Sequence, residues 1–284
     1  MGYDVNRFNE LNQKEWTNSS VVDGWRKWHK PFTEWVRPIT QKMVNDGGIQ
    51  AGMRVLDLAS GSGDPAITFA KIVGPTGHVT ATDFNPEMLA IAEANAKSEG
   101  FENMAFKTAD AHSLQFEDES FDRVTSRFGV MYFGDHIQAL REMRRVLKPG
   151  GRVVLIANGP FQQPLIENTL GILMKHIELP PSDPDTPDPF RFAPEGFMRN
   201  ALKEAGFCEI MEERGIPDMI WPHSPSEFWE WFSDVSAPFK PLLHQLSSQQ
   251  REAIIGEIVA ALDEFSIENG VKLPLYYTFG TGVK

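Results

Sequence analysis

The strongest constraint on the fold is an alternation. Between Gly52 and Ala157, short apolar runs alternate with segments of helical spacing. Residues 53–58 suit a buried parallel strand, 65–73 have helical spacing, and 78–82 form the next strand. Asn85-Pro86-Glu87 opens a helix: Asn caps it, Pro is tolerated at the first position and Glu favours the first turn. That helix runs to about Ser98 and ends at Gly100. Residues 103–108 and 121–126 are further strands. Asp135 caps a helix carrying Ile137, Leu140, Met143 and Leu147, residues 148–151 stop it, and 152–157 form a strand. This order builds βαβ units on a parallel sheet with right-handed crossovers.

The flanks read differently. Residues 1–50 look helical and hold Trp16, Trp25, Trp28 and Trp35, the last three spaced roughly along one face; Gly47-Gly48 then punctuates the chain. Six prolines between Pro180 and Pro194 make an extended loop. Residues 197–205 are helical up to Gly206, and 207–221 read mostly as strand. Ser224-Pro225-Ser226-Glu227 is a capping box that opens a helix. Another helix covers 249–265, with Ile254, Ile255, Ile258, Leu262 and Phe265 on one face, and 276–283 close the chain as a strand.

With 284 residues the chain suffices for one large α/β domain or two small ones. At 41% hydrophobic and 23% charged residues it reads as an ordinary soluble globular protein. Its net charge of -12 argues against nucleic acid or anionic lipid as partner. The single cysteine, Cys208, permits no intramolecular disulfide and reads as a small buried hydrophobe. No secretory signal is recognisable, and the apolar runs fall far short of the ~18 residues of a membrane span. A cytoplasmic protein is expected.

The segment Val55-Leu56-Asp57-Leu58-Ala59-Ser60-Gly61-Ser62-Gly63-Asp64-Pro65-Ala66 ends a strand, turns on glycines and starts a helix. Ligands of open α/β sheets bind at such strand ends. Gly61 to Ala66 also fits the G-x-G-x-x-A dinucleotide fingerprint, with Asp83 placed to meet a ribose hydroxyl. A nicotinamide and an adenosyl cofactor are both open on this segment alone. Asp57 tips the balance, because a pyrophosphate gains nothing from a nearby carboxylate whereas a cationic sulfonium ligand with an amino group does. A third acid, Asp110, ends the next strand.

At these residues the chain resembles class I S-adenosylmethionine-dependent methyltransferases. Asp57 to Gly63 looks like their first motif, and Asp83, Asp110-Ala111 and Phe121-Asp122-Arg123-Val124 like the following ones. Arg144-Arg145-Val146-Leu147-Lys148-Pro149-Gly150-Gly151-Arg152 is similar to a segment of the ubiquinone/menaquinone-biosynthesis (methyltransferase type 11) subgroup. The resemblance covers roughly Gly52 to Ala157. It departs at Ala59, where many members have glycine; alanine is expected there with a negative φ. The resemblance implies a Rossmann-like, doubly wound, mostly parallel sheet of about seven strands, the last antiparallel, plus a helical lid. It also implies that the backbone of Ala59, Ser60, Gly61 and Gly63 wraps the methionine part of S-adenosyl-L-methionine. Asp57 would assist its amino group through water, Asp83 would accept both ribose hydroxyls, and Phe84 and Met88 would sandwich adenine. Asp110 would accept from the adenine amino group with Ala111 NH beside it, and Ser126, Arg127 and Phe128 would face the methionine end and the substrate. Plain structural readings stay open beside these: loop caps for Asp83 and Asp110, core for Met88, a structural ion pair for Arg127. Ser126-Arg127-Phe128-Gly129 lacks the Asn/Asp-Pro-Pro-aromatic motif of base amino methyltransferases.

The implied division is a helical lid segment over 1–50, a cofactor-binding core over 51–221, a helical insertion over 222–270 and a terminal strand over 271–284. The tryptophan clusters before residue 36 and at Trp221, Trp229 and Trp231 suggest that 1–50 and 222–270 pack together over the strand ends. They would enclose an apolar pocket near Arg127 and Phe128, or simply form a second hydrophobic core. Methyl transfer needs alignment and exclusion of water, and an oxygen or carbon acid also needs a base. Of seven histidines, His29 and His223 lie in the lid segments and are the candidates; His136, at a helix start, reads as solvent-exposed. No metal-ligand spacing is found. The chain is therefore read as a methyltransferase acting on a small apolar or aromatic molecule at O, C or N, as monomer or homodimer. Its rivals are a cofactor-binding cyclase or regulator on the same fold, and an NAD-dependent oxidoreductase.

Overall fold

The computed structural model describes the chain apart from residues 1–2, 178–182, 238–239 and 244. His244 and the start of the expected proline-rich loop lie outside the described residues. In chain order the elements begin with α1 (Val5–Trp16), α2 (Ser19–Trp35), α3 (Arg37–Gly47), β1 (Arg54–Leu58), α4 (Ala66–Val73), β2 (His78–Asp83) and α5 (Pro86–Ser98). There follow β3 (Met104–Thr108), β4 (Phe121–Arg127), α6 (His136–Val146), β5 (Leu147–Asn158), α7 (Pro164–Glu167), α8 (Leu170–Leu173) and α9 (Phe197–Glu204). The last are β6 (Cys208–Gly215), β7 (Asp218–Trp221), α10 (Pro225–Val235), α11 (Lys240–Leu243), α12 (Ser248–Asp263), β8 (Ser266–Ile267), β9 (Gly270–Pro274) and β10 (Tyr277–Val283).

The chain divides into two units. One holds Arg37–Gly159, Asp188–Gly215 and Tyr277–Lys284. Among the described residues its sheet has seven strands in the order β3-β2-β1-β4-β5-β10-β6. β1 to β5 run parallel, and β10 runs antiparallel to both β5 and β6, as expected of the last strand. Helices α4 and α5 pack on β2, and α6 on β5. The central strands are buried on both faces, which is why Val55–Leu56 and Val153–Ala157 are continuous apolar runs. Asn85 and Asp135 cap α5 and α6 through their side chains, as their positions predict.

Several expectations are corrected in this unit. Residues 148–151 do not stop a helix ahead of the strand. Strand β5 already begins at Leu147, paired with Phe121, and the register shifts between Phe121 and Arg123. Residues 207–221 are not one strand: Pro217 has no N–H to continue a ladder, and β6 and β7 end in different sheets. Cys208 is exposed, because β6 is an edge strand with a register shift there; its thiol donates to the Val283 carbonyl at 3.3 Å. His136 is buried rather than exposed, since the segment 188–197 returns onto the start of α6. Arg191 Nη2 donates to its Nδ1 at 2.5 Å, and Phe192 and Phe197 flank the ring at 5.5 Å. Burial and the Arg191 charge push its pKa down to about 4.

The other unit holds Met1–Val36, Pro160–Pro187 and Ile216–Tyr276. The boundary expected at residue 50 thus falls after Val36. Helix α3 goes with the large sheet because Arg123 Nε donates to Gly47 O at 2.5 Å and Arg152 Nη1 to Asp46 O at 3.0 Å. Likewise β7 and β9 leave the sheet unit and form a small antiparallel sheet in the order β7-β9-β8. Within this helical unit the two tryptophan clusters do pack together. Trp35 lies 4.8 Å from Trp231 and 5.8 Å from Phe228, and Trp221 lies 5.1 Å from Trp231. Helices α2 and α10 approach closely at Gly24, where a Cβ would stand 2.7 Å from the Asp234 carbonyl oxygen. Trp28 Nε1 donates to Asp234 Oδ2 at 2.8 Å. The Ser224–Glu227 capping box is present on α10, and a second one, Ser247 with Gln250, starts α12 just ahead of the expected residue 249.

Candidate cofactor site

In the sheet unit the chain leaves β1 toward β2 and β3, and later runs from β4 to β5 on the other side. The carboxyl ends of β1 and β4 therefore flank the switch point where open α/β sheets bind ligands. Asp57 stands near that end, opposite Thr125 in register. Its carboxylate is fully buried; Oδ1 accepts from Thr125 Oγ1 at 2.5 Å, and Oδ2 has no hydrogen-bond partner among the described residues. Burial pushes its pKa up to about 6, against the pull of the Thr125 hydroxyl.

The turn after β1 is held by its neighbours. Ala59 has φ 56°, contrary to the negative φ expected. Alanine tolerates the left-handed region at a cost of roughly 1–2 kcal/mol, and the surrounding contacts impose it. Ser60 N–H donates to Thr82 O at 2.9 Å, and the Ser60 hydroxyl donates to Asp57 O at 3.0 Å. Room for the Ala59 methyl exists only because residue 129 is glycine: a Cβ there would stand 2.6 Å from Ala59 Cβ. Gly63, at φ 116°, admits α5, since its Cβ would meet Ala92 at 3.2 Å. Asn95 Nδ2 of α5 donates to Ser62 O at 2.9 Å.

Asp83 ends β2 almost completely buried. Its Oδ2 accepts from Gly61 N–H at 2.9 Å and its Oδ1 from Asn85 N–H at 3.0 Å. Burial raises its pKa although these amides favour the charge. A carboxylate offers about four lone-pair sites, so two amides leave capacity for a diol. Met88 is buried, with Cε 3.5 Å from where a Gly61 Cβ would lie, while Phe84 is half-buried beside Asp83. Asp110 and half-buried Ala111 follow β3. Hydrogen bonds from His112 hold Asp110 below the usual carboxylate range.

At the end of β4, Ser126 Oγ is buried with no hydrogen-bond partner among the described residues. Phe128, also at positive φ, donates its N–H to Ile156 O at 2.8 Å. Arg127 turns into the protein: its guanidinium pairs with the Asp64 carboxylate, donates to Thr40 Oγ1 at 2.6 Å and to Asp64 O at 3.0 Å. The Arg127 and Asp64 side chains are 2% and 3% exposed, so the structural reading of Arg127 is realised. Thr125, Asp64, Thr40 and Asn95 were not legible as site residues. Each acts through a partner 33 or more positions away. The two candidate bases, His29 and His223, belong to the helical unit. His29 is buried in α2; His223 is 39% exposed and lies 3.8 Å from the Glu227 carboxylate.

The chemistry of this site suits an adenosyl sulfonium: an unpartnered buried carboxylate oxygen on Asp57, a diol-capable carboxylate on Asp83 and a glycine turn between them. The seven-stranded, mostly parallel sheet with its antiparallel β10 defines the Rossmann-like fold class. The chain belongs to the ubiE/COQ5 methyltransferase family, whose model matches residues 27–180. S-adenosylmethionine is accordingly its cofactor, and the dinucleotide reading is set aside. The chain is 46% identical over 125 residues to the ubiquinone/menaquinone biosynthesis C-methyltransferase UbiE of Bdellovibrio bacteriovorus, covering 44% of this chain and 52% of that one. It is 39% identical over 137 residues to the demethylmenaquinone methyltransferase of Staphylococcus aureus, covering 48% and 56%. The chain thus spans about half the length of the curated relatives it matches. Among solved structures, the YcgJ protein of Bacillus subtilis is similar in fold, with a TM-score of 0.56 and 22% identity over 86% of this chain and 97% of that one.

Proposed function

We propose that this protein transfers a methyl group from S-adenosylmethionine to a ring carbon of a small, apolar aromatic acceptor of the quinol type. The observation that carries this reading is the Gly61 amide bonded to the Asp83 carboxylate, beside the unpartnered oxygen of buried Asp57, at the β1 end of a chain of this family. The names of the quinone-pathway relatives support a carbon acceptor. The bound cofactor supplies an electrophilic methyl on a sulfonium. The amides of Ala59, Ser60, Gly61 and Gly63 would surround its methionine part, with Asp57 facing the amino group. Asp83 would hold the ribose, Phe84 and Met88 the faces of adenine, and Asp110 with Ala111 its edge. Ser126 and Phe128 would border the methyl. The chain aligns donor and acceptor and excludes water; the carbon acid loses its proton as the bond forms. The base is part of the proposal only as His29 or His223.

A cytoplasmic monomer or homodimer without nucleic-acid partners belongs to the same proposal, supported by the net charge of -12. The central test is calorimetry with S-adenosylhomocysteine and NAD, followed by labelled methyl transfer to demethylated quinols, phenols and amines. Binding of S-adenosylhomocysteine but not NAD, with label on quinol carbon, is expected. Label only on oxygen or nitrogen would overturn the acceptor assignment, and binding of NAD alone the whole reading.

A further inference from the structure

The segment after β3 carries an arrangement that the motifs do not explain. His112 lies two residues beyond Asp110, and both of its donors converge on one oxygen: its backbone N–H reaches Asp110 Oδ1 at 2.9 Å, and ring Nδ1 lies 2.6 Å from the same atom. The other ring nitrogen, Nε2, accepts the backbone N–H of Asp135 at 3.2 Å, at the N-cap of α6. An amide N–H can only donate, so Nε2 is the bare nitrogen of a neutral ring and Nδ1 carries the proton. The tautomer that donates to Asp110 is thus set by the α6 end.

Burial differs sharply across the pair. The His112 side chain is 18% exposed and the Asp110 side chain 65%. The ring stands edge-on to Phe133 at 6.3 Å, and Gln138 Nε2 donates to the His112 carbonyl at 3.4 Å. An exposed carboxylate left to itself samples several rotamers, and ordering it costs binding free energy. Here the exposed member is fixed by the covered one. With both His112 donors on Oδ1, Oδ2 takes no donor from His112 and keeps its accepting capacity.

We propose that His112 is a positioning residue for adenine recognition, orienting Asp110 so that Oδ2 accepts from the 6-amino group of the cofactor. This rests on the S-adenosylmethionine reading above. It ties that recognition to the start of α6, so that the β3 end and the segment after β4 are set together.

The test is calorimetry with two ligands, S-adenosylhomocysteine and its purine analogue bearing hydrogen in place of the 6-amino group. The wild-type protein should prefer the amino ligand by about tenfold or more. His112→Ala should lose most of that preference through weaker binding of the amino ligand, with affinity for the desamino ligand unchanged, which also reports an intact fold. His112→Asn retains a donor near Nδ1 and should recover most of the preference. Asp110→Asn should abolish it. If His112→Ala keeps the preference while Asp110→Asn erases it, the positioning role is overturned and the cofactor reading stands. A wild-type protein that binds both ligands equally overturns the recognition by Asp110, and one that binds neither overturns the cofactor reading as well.

Discussion

The turn after β1 and the aromatic core of the helical unit are both buried, and they are built from opposite materials. The turn holds carboxylates, hydroxyls and strained backbone, tied to β1, β2, β4 and α5, with Asp57 Oδ2 left without a partner among the described residues. The aromatic core holds Trp28, Phe32, Trp35, Trp221, Phe228 and Trp231, whose contribution is area and ring contacts. A polar network in a sheet crevice can take up a charged ligand by exchanging partners. A packed aromatic core has little to exchange, and it serves first as the reason its unit folds. Substitutions should therefore separate the two regions, one moving stability and the other moving ligand affinity.

The largest effect is expected in the aromatic core. Trp221 is fully buried between Trp28, Trp35 and Trp231, and Trp221→Ala should cost about 3–5 kcal/mol of stability. Denaturant titration would register it, while calorimetry with S-adenosylhomocysteine on the folded fraction should show unchanged affinity. A matching loss of affinity would break the contrast between the regions.

The next effect is one of pH. Asp57 ionises near 3.8 in an unfolded chain and near 6 in the folded one. Its contribution to stability therefore falls as pH rises from about 4 to 6, by up to about 3 kcal/mol. His136 works in reverse: its ordinary value of 6.5 drops to about 4 in the fold. The unfolded chain then takes a proton the native one refuses, and stability falls as pH drops from about 6.5 to 4. The slopes oppose each other over the shared window. Asp57→Asn should leave a profile rising with pH there, and His136→Gln one falling with pH, both readable from denaturation at a series of pH values. Asp57 also ties pH to the ligand. A bound ammonium would favour the carboxylate, so S-adenosylhomocysteine should bind more tightly as pH rises from 5 to 7, with proton release seen as a buffer-dependent enthalpy.

Asp83→Ala comes third. It should weaken S-adenosylhomocysteine by roughly 30- to 150-fold, or about 2–3 kcal/mol, with a smaller change in melting temperature. An unchanged dissociation constant would remove Asp83 from the site. The smallest effect sharpens the picture of the turn itself. Ala59→Gly relieves a positive φ and should stabilise the protein by up to about 1 kcal/mol, offset in part by the greater freedom of glycine when unfolded.

The strands, caps and candidate cofactor residues of the sheet unit were legible because each is a local signal. A β1 strand that must be buried on both faces is a run of apolar residues, and a turn that must let α5 approach needs Gly63. The Asn85 and Asp135 caps act within three residues of themselves. These properties follow from short-range sterics and hydrogen bonding, and the order of strands and helices then limits the topology.

What lay beyond reading along the chain depends on which distant segments meet. Nothing near Arg127 announces Asp64 and Thr40, and nothing near His136 announces Arg191, 55 positions on. Cys208 is exposed because its strand is at the edge, a fact about sheet order rather than about cysteine. Ala59 takes a backbone conformation alanine avoids because Thr82, Asp57 and Gly129 leave it that space. Helix α3 joins the sheet rather than the helices before it through Arg123 and Arg152, two side chains far along the chain. The sequence by itself thus determined most of the local conformations, the sheet class and the candidate cofactor residues at the strand ends. The tertiary structure alone decided which buried charges have partners, which surfaces are covered and where one unit ends, because burial and pairing are properties of the packed chain and not of any segment of it.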